Sequence, residues 1–357
     1  MSEKLLLRRE IFKNILPWFY KRKRDLPWRR NPTPYSVWIS EIMLQQTAVK
    51  AVVPYYLRWM KRFPSLSSLA RSRERDILTL WEGLGYYSRA RSVLKASRII
   101  QKKYKGRIPD EYSTLSSLPG IGPYTASAIL SIAYGEPCPV IDANVKRVIQ
   151  RFLGFRSRDR KGEKSIRGFL EQVIPVKEPG SFNEALMELG QTVCLVESPL
   201  CHHCPLKKGC VCLRKNLQQV IPGRREKLVI KKKTTLLIFL HRKKIFLMPK
   251  EKGLFKGLWL IPGLPRNGNG SRGIESYIRR EMGEAFSLST RLPEQVHHYT
   301  KYQERLYPLV YYIKKPKQNP SGRWIPLKNQ RRYPLPSVYR RILNDLCAFL
   351  DLYHGRK

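Results

Sequence analysis

Leu118-Pro-Gly-Ile-Gly-Pro-Tyr-Thr-Ala126 sets two glycines, Gly120 and Gly122, one residue apart immediately ahead of an apolar helical pattern that starts near Thr125. Glycine lets a backbone approach a ligand closely, and successive amides at the positive end of a helix suit a phosphate. The same corner would also serve two helices that simply pack together. Outward from it, apolar residues recur at helical spacing over 5–20, 36–48, 49–63, 77–81, 90–104, 125–134, 145–153 and 183–194. Pro54, Pro64 and Pro109 fall at breaks, and Gly83, Gly85 and Gly106 near ends. This half of the chain reads as all-α.

The 357 residues include 69 Lys or Arg against 27 Asp or Glu, a formal charge of +42. The excess is spread along the chain, which favours a nucleic-acid enzyme or architectural binder over a tethered polybasic anchor. With 42% hydrophobic and 11% aromatic residues there is material for two cores. The apolar run at 236–240 is far shorter than the roughly 20 residues that span a bilayer, and residues 1–10 are too charged for a signal peptide. An intracellular protein with no membrane partner is expected.

Five of the seven cysteines lie between 194 and 212, and Cys194, Cys201, Cys204 and Cys210 are spaced C-x6-C-x2-C-x5-C. An odd count without a secretory leader points to a reducing compartment and to metal ligation. Tetrahedral zinc and a four-iron cluster both suit four thiolates, and His202 and His203 are further zinc donors. Merely buried thiols fit less well, since Pro199, Pro205 and Gly209 punctuate a loop. Beyond the cysteines, a basic stretch without apolar period reads as a linker. Strands are expected at 235–240, 245–249, 307–313 and 324–326, and helices at 277–284 and 337–350, an α+β domain.

Two acids stand out. Val140-Ile-Asp-Ala-Asn-Val145 puts Asp142 at a helix entrance, where its plain role is an N-cap. Glu41 lies in a helix among Val37, Trp38, Ile42, Met43 and Leu44, surroundings that can raise a carboxyl pKa if the side chain is not simply facing solvent.

Taken in order, SEIMLQQT around Glu41, WEGLGYYSR from Trp81, LPGIGPYTA, VIDANVKRV and the cysteine spacing resemble the MutY-type adenine DNA glycosylases of the helix–hairpin–helix, Gly/Pro/Asp superfamily, over about residues 5–215. The resemblance implies a monofunctional base excision repair enzyme that flips out adenine mispaired with 8-oxoguanine or guanine in double-stranded DNA and removes it hydrolytically. It further implies a protein that acts as a monomer on its DNA, in the bacterial cytoplasm or nucleoid. One [4Fe–4S] cluster on Cys194, Cys201, Cys204 and Cys210 is implied, with structural zinc the runner-up. Glu41 would donate a proton to adenine N7 while Asp142 stabilises the oxocarbenium-like sugar, with Tyr124 and Asn144 orienting them. Trp28, Arg29, Leu44 and Glu184 would form the base pocket. Gln46 and Tyr86 would enter the base stack, and Gly120, Gly122 and Thr125 would meet the DNA backbone. Endonuclease III-like relatives carry a lysine in place of Tyr124, so strand-cleaving lyase activity is expected to be weak.

Residues 231–345 are similar to the Nudix-like lesion-recognition domain of that family, chiefly through Met248-Pro-Lys-Glu-Lys-Gly-Leu-Phe-Lys-Gly-Leu-Trp-Leu-Ile-Pro-Gly263. Around 273–283 no array of glutamates could bind magnesium, so pyrophosphate hydrolysis is not expected. Tyr299 and Thr300 would contact the base opposite adenine, and Lys301 departs from the family's Phe-Ser-His loop. The expected organisation is a catalytic domain at 1–215 with its cluster loop at 194–210, a linker at 216–230, the Nudix-like domain at 231–345, and a tail at 346–357. Competing functions are a thymine-mismatch or pyrimidine-lesion glycosylase on the same scaffold and a noncatalytic metal-containing nucleic-acid-binding protein. Mere binding needs neither Glu41 nor Asp142. The purified protein is expected to be brown, with broad absorbance near ~400 nm. Stoichiometric zinc without iron would remove the cluster, and loss of metal in Cys212→Ser would overturn the choice of Cys210 as a ligand.

Overall fold

The computed structural model describes residues 3–156, 160–223, 228–266, 271–317 and 321–354. In chain order its helices are α1 (Glu3–Arg22), α2 (Pro27–Arg30), α3 (Pro34–Leu44), α4 (Val49–Arg62), α5 (Leu66–Ala70), α6 (Glu74–Leu80), α7 (Ser88–Lys103) and α8 (Tyr112–Ser117). There follow α9 (Pro123–Ala128), continued by a π-helical turn (Ile129–Ala133), then α10 (Ala143–Leu153), α11 (Arg160–Val173), α12 (Pro179–Thr192) and α13 (Val211–Arg214). The chain divides into two compact units, Met1–Arg71 with Ser92–Arg225, and Ser72–Arg91 with Glu226–Lys357.

The first unit is helical, as its sequence pattern indicates. Its core joins Val145, Val148, Ile149 and Phe152 of α10 to Phe182, Ala185, Leu186 and Leu189 of α12, with Ile15 and Phe19 of α1 against them. Here α3 starts at a capping box in which Thr33 and Ser36 satisfy each other's orphan amides, with Pro34 in the first turn. Residues 36–48 do not form one helix. Helix α3 stops at Leu44, Gln46 takes a left-handed φ of 58°, and the chain reverses into α4. Helix α11 was hidden in a charge-rich sequence, but its buried residues Ile166, Leu170 and Val173 keep helical spacing.

Residues 216–230 are less of a free linker than their composition suggests. Ile221 is buried, and its carbonyl accepts from Arg151 Nε at 2.6 Å, while residues 224–227 lie outside the described residues.

The second unit contains β1 (Ile230–His241), β2 (Lys244–Pro249), β3 (Trp259–Leu260), β4 (Gly263–Pro265), β5 (Phe286–Arg291), β6 (Gln295–Tyr299), β7 (Tyr302–Ile313) and β8 (Arg323–Pro326), with α14 (Ser271–Glu281) and α15 (Ser337–His354). Among the described residues the sheet runs β3-β2-β1-β7-β5, with β4 on β1, β6 on β7 and β8 on β2. Central β1 lies parallel to β7 from Ile230↔Tyr302 to Leu240↔Tyr312. It is covered on both faces, which explains its unbroken apolar run. Leu236, Ile238 and Leu240 meet Val338, Ile342 and Leu346 of α15, while Leu237 and Phe239 meet Ile278 and Met282 of α14.

Three expectations change here. Residues 231–233 extend β1 because β7 pairs with them, although lysines point outward. Strands β5 and β6 lack an apolar run because they are half exposed. The expected tail from 346 is the end of α15, with Leu346 fully buried, and residues 355–357 lie outside the described residues. The boundary also shifts: Ser72–Arg91 belongs with the second unit, where Arg340 forks onto Glu82 at 2.7 and 2.8 Å and Tyr87 donates to Leu335 O at 3.2 Å.

In the hairpin between α8 and α9, Gly120 has φ +80° and an added Cβ would lie 2.6 Å from Ser92 Cβ, whereas Gly122 has open space around it. Gly120→Ala should therefore cost at least about 1 kcal/mol in a urea midpoint measurement, and Gly122→Ala should be close to neutral.

Candidate active site

A cavity of about 1000 Å³ in the first unit brings together α2, the end of α3, α9, the start of α10 and α12. On its wall, Glu41 of α3 is only 5% exposed. Tyr124 of α9 donates a hydrogen bond to its Oε2 and also reaches Met187 Sδ at 3.4 Å. Burial pushes the Glu41 carboxyl up to about 7, with the charges of Glu184 and Asp142 adding to the rise while the Tyr124 hydrogen bond and Arg29 oppose it. Tyr124 is itself held well above the ordinary phenol value by burial and by Glu41 and Asp142, so it remains a donor.

Asp142 serves as the N-cap of α10, as a capping residue should, but only one oxygen is used that way. Its Oδ1 accepts from Val145 N at 2.7 Å, while Oδ2 accepts from Asn144 Nδ2 at 2.8 Å. Asn144 Oδ1 in turn accepts from Arg147 Nη2 at 2.9 Å. Gly190 of α12 permits this packing, since a Cβ there would sit 2.6 Å from Asn144 Cβ. The capping and candidate catalytic roles thus coincide on one residue.

The cavity's third wall is charged. Arg29 Nε donates to Glu184 Oε1 at 2.8 Å and its Nη2 to Glu188 Oε2 at 3.0 Å. Arg24 grips both oxygens of Glu188, at 2.6 and 2.9 Å. Burial alone would raise Glu188, but the two guanidiniums outweigh it and hold the carboxyl below its ordinary value. Trp28 is buried edge-on to Tyr56 at 5.3 Å, and Leu44 lines the same cavity.

The structure lines this one cavity with the expected catalytic and pocket residues Glu41, Asp142, Tyr124, Asn144, Trp28, Arg29, Leu44 and Glu184, and also with Gln46, which was expected to enter the base stack. Sequence reasoning missed Arg24, Arg147, Met187, Gly190 and Glu188, although Glu184 and Glu188 stand four apart on a helix and so share a face. One placement needs correction. Thr125 is only 1% exposed, with Gln45 Nε2 3.4 Å from its hydroxyl, so its side chain cannot meet DNA and only its backbone could.

Comparison with known proteins gives the family. Residues 39–175 match the HhH-GPD superfamily of base excision DNA repair proteins. Adenine DNA glycosylase of Buchnera aphidicola subsp. Acyrthosiphon pisum is 34% identical over 93% of this chain and 96% of its own. Human adenine DNA glycosylase is 41% identical over 55% of this chain and 38% of its own. The chain belongs to the adenine DNA glycosylase family. It is an adenine-specific DNA N-glycosylase of base excision repair, and DNA is its partner. Among solved structures, a thermostable thymine-DNA glycosylase superposes with a TM-score of 0.55 at 26% identity, covering 60% of this chain and all of that one. An Endonuclease III–DNA complex shares the fold, with a TM-score of 0.53 at 23% identity over 61% of this chain and all of that one.

The glycosylase's cysteine loop packs on α10. Cys194, Cys201, Cys204, Cys210 and the buried Cys212 line one small cavity, while His202 and His203 are exposed. Among the described residues the donors do not close around a single ion. Arg151 Nη1 approaches Cys194 Sγ at 3.5 Å and donates to Leu195 O at 2.6 Å.

In the second unit a cavity of about 500 Å³ is lined by Tyr86, Phe255, His297, Tyr299, Thr300 and Arg341. Tyr86 is 41% exposed at a left-handed φ of 48°, with the Arg89 guanidinium 5.4 Å from its ring centroid. Thr300 has a φ of 49° in the two-residue turn joining β6 to β7, and Tyr299 donates to Glu304 Oε2 at 2.6 Å. Gln46, Tyr86 and Thr300 are thus non-glycine residues held in backbone conformations that cost energy, a pattern found at functional sites.

A proton donor with a pKa of about 7 predicts a basic limb. With Glu41 as the expected proton donor its protonated form is the one that acts, so single-turnover adenine release should fall as pH rises through about 7. A limb centred near the ordinary carboxyl value would show that Glu41 is not the acid.

Proposed function

We propose that this enzyme removes adenine opposite 8-oxoguanine or guanine from duplex DNA, acting as a monomer and without cutting the strand. The observation that carries the reading is the buried Glu41 carboxyl, hydrogen-bonded by Tyr124 in a cavity that it shares with Asp142. Breaking the bond between sugar C1′ and adenine N9 leaves electrons on the base and positive charge on the sugar. Glu41 delivers its proton to adenine N7, so that a neutral base departs. Ionised Asp142, oriented by Asn144, faces the oxocarbenium-like sugar. Water adds to C1′ and its proton returns to the Glu41 carboxylate. A buried acid raised to about 7 and a second carboxyl beside it meet both demands of glycosidic cleavage.

An adenine within a duplex is unreachable, so it is flipped out into the pocket of Trp28, Arg29, Leu44 and Glu184. Glu184 accepts from the adenine amino group. Exposed Gln46 and Tyr86 enter the vacated stack, and the amides around Gly120 and Gly122, supported by the open space at Gly122, receive a backbone phosphate. The second unit is Nudix-like and reads the opposing base with Tyr299 and Thr300, which share a cavity with Tyr86, Phe255 and His297. Lys301 carries only donors, which suits O6 of guanine and 8-oxoguanine alike but N7 of guanine alone, because N7 of 8-oxoguanine bears a hydrogen.

Cys194, Cys201, Cys204 and Cys210 would hold a [4Fe–4S] cluster. An all-sulfur donor set around a shared cavity, with both histidines exposed, fits that group better than one zinc ion. When bound, it cross-links the loop and takes no part in base release.

The test is single-turnover base release from duplexes with A opposite 8-oxoguanine, A opposite G, and T opposite G. Release from the first two and not the third is expected. Glu41→Gln and Asp142→Asn should each reduce release by at least roughly 10²-fold while duplex binding persists, since general acid catalysis alone is worth about 10²–10⁴. Weak effects, or borohydride trapping of the wild type as efficient as a lyase's, would overturn the mechanism.

A further inference from the structure

Glu188 lies behind the active-site cavity, one turn along α12 from Glu184, with its side chain 1% exposed. Burying a carboxylate is costly unless it is fully paired. Here both oxygens are taken, by Arg24 in a fork and by Arg29. Arg24 is held further by Gln191 at 2.6 Å, and Arg29 by Arg24 O at 3.2 Å and by the Phe19 ring, whose centroid lies 5.3 Å from its guanidinium carbon. After these contacts Arg29 still has Nε on Glu184, the member of the set proposed to accept from the amino group of the base. Glu184 and Glu188 lie one turn apart on α12, where two carboxylates would repel without the guanidinium between them.

We propose that Glu188 is a positioning residue for adenine selection: it anchors Arg24 and Arg29 so that Arg29 fixes the Glu184 carboxylate toward the exocyclic amine of the extruded base. The proposal rests on the reading of Glu184 as the group that accepts from that amine. It gives the pocket chemical selectivity for a 6-amino purine, because a fixed carboxylate accepts from an amino group and rejects a carbonyl at the same position. A site built to bond one polar group discriminates strongly against analogues lacking it.

The clamp also sets the charge seen by Glu41. The groups that act on that carboxyl are Tyr124 from α9, Glu184 from α12, Asp142 at the start of α10 and Arg29 from α2. Arg24, Arg29, Glu184 and Glu188 together are balanced, two positive against two negative. Glu188→Gln removes one negative charge and leaves the guanidiniums in excess, which favours the Glu41 carboxylate. The basic limb of adenine release then moves to lower pH.

The experiment compares full-length metal-loaded enzyme on duplexes carrying adenine and, in its place, unsubstituted purine, which lacks the amine. Glu188→Gln should lower single-turnover release of adenine by at least about tenfold, with a clearly smaller loss on purine and a shift of the basic limb to lower pH. Combined with Glu184→Gln, it should add little, since both act through one contact. Glu188→Asp, which keeps the charge, should restore the position of the limb even where it restores only part of the rate. Equal losses on both duplexes, additive in the double variant and without a pH shift, mean that Glu188 only stabilises the fold and overturn the proposal. If Glu184→Gln itself loses no more on adenine than on purine, the pocket reading fails first. If Glu184→Gln shows that dependence and Glu188→Gln does not, the pocket stands and the clamp falls.

Discussion

Two buried arginines on one helix organise the first unit. Arg147 and Arg151 of α10 are 6% and 3% exposed, and a guanidinium taken out of water must have its donors satisfied. Their acceptors are main-chain carbonyls from the cysteine loop and its flanks. Arg147 bonds Gly190 O and Cys194 O at 2.6 and 2.8 Å. Arg151 bonds Leu195, Val196, Gln218 and Ile221 carbonyls within 3.0 Å. A loop with little regular structure is thereby fixed to the helix whose first turn holds Asp142. The stretch after the last cysteine, polar enough to read as a tether, is ordered by the same demand.

The active-site wall obeys a second electrostatic rule, that neighbouring carboxyls in one cavity cannot share one environment. Glu41 is shielded by α3 side chains and given a phenol donor, which leaves the neutral acid accessible near neutral pH. Asp142 sits at a helix N-terminus and accepts from a backbone amide and from the Asn144 side-chain amide. Glu188 is ionised because two arginines hold it. Acids in and behind one cavity thus differ by the partners their helices bring to them rather than by residue type.

In the second unit the sheet does the positioning. Its central strand is covered on both faces and pairs with β7 along its length, and the turn that carries Thr300 and Lys301 is closed by the Tyr299↔Tyr302 pair. Conformational strain at Thr300 and Tyr86 is tolerated because the frame behind them is packed. The basic excess of the chain has a different use, since charge distributed over a surface attracts polyanionic DNA without specifying any contact.

The sequence by itself determined the helical half, the mixed second half, the glycine hairpin and the identities of Glu41, Asp142, Tyr124 and the cysteines. Each of these depends on local chemistry: apolar period, glycine at a tight corner, or ordered motifs that carry unusual residues. The edges of elements were illegible where tertiary contacts set them. Lysines 231–233 become strand only because β7 lies beside them, Ser72–Arg91 joins the second unit through Glu82 and Tyr87, and Thr125 turns inward. Glu188, Arg24 and Arg147 left no local signal of their partnership because the groups they bind are up to 167 residues away in the chain. Only folding brings such charges together, and only burial makes their pairing obligatory.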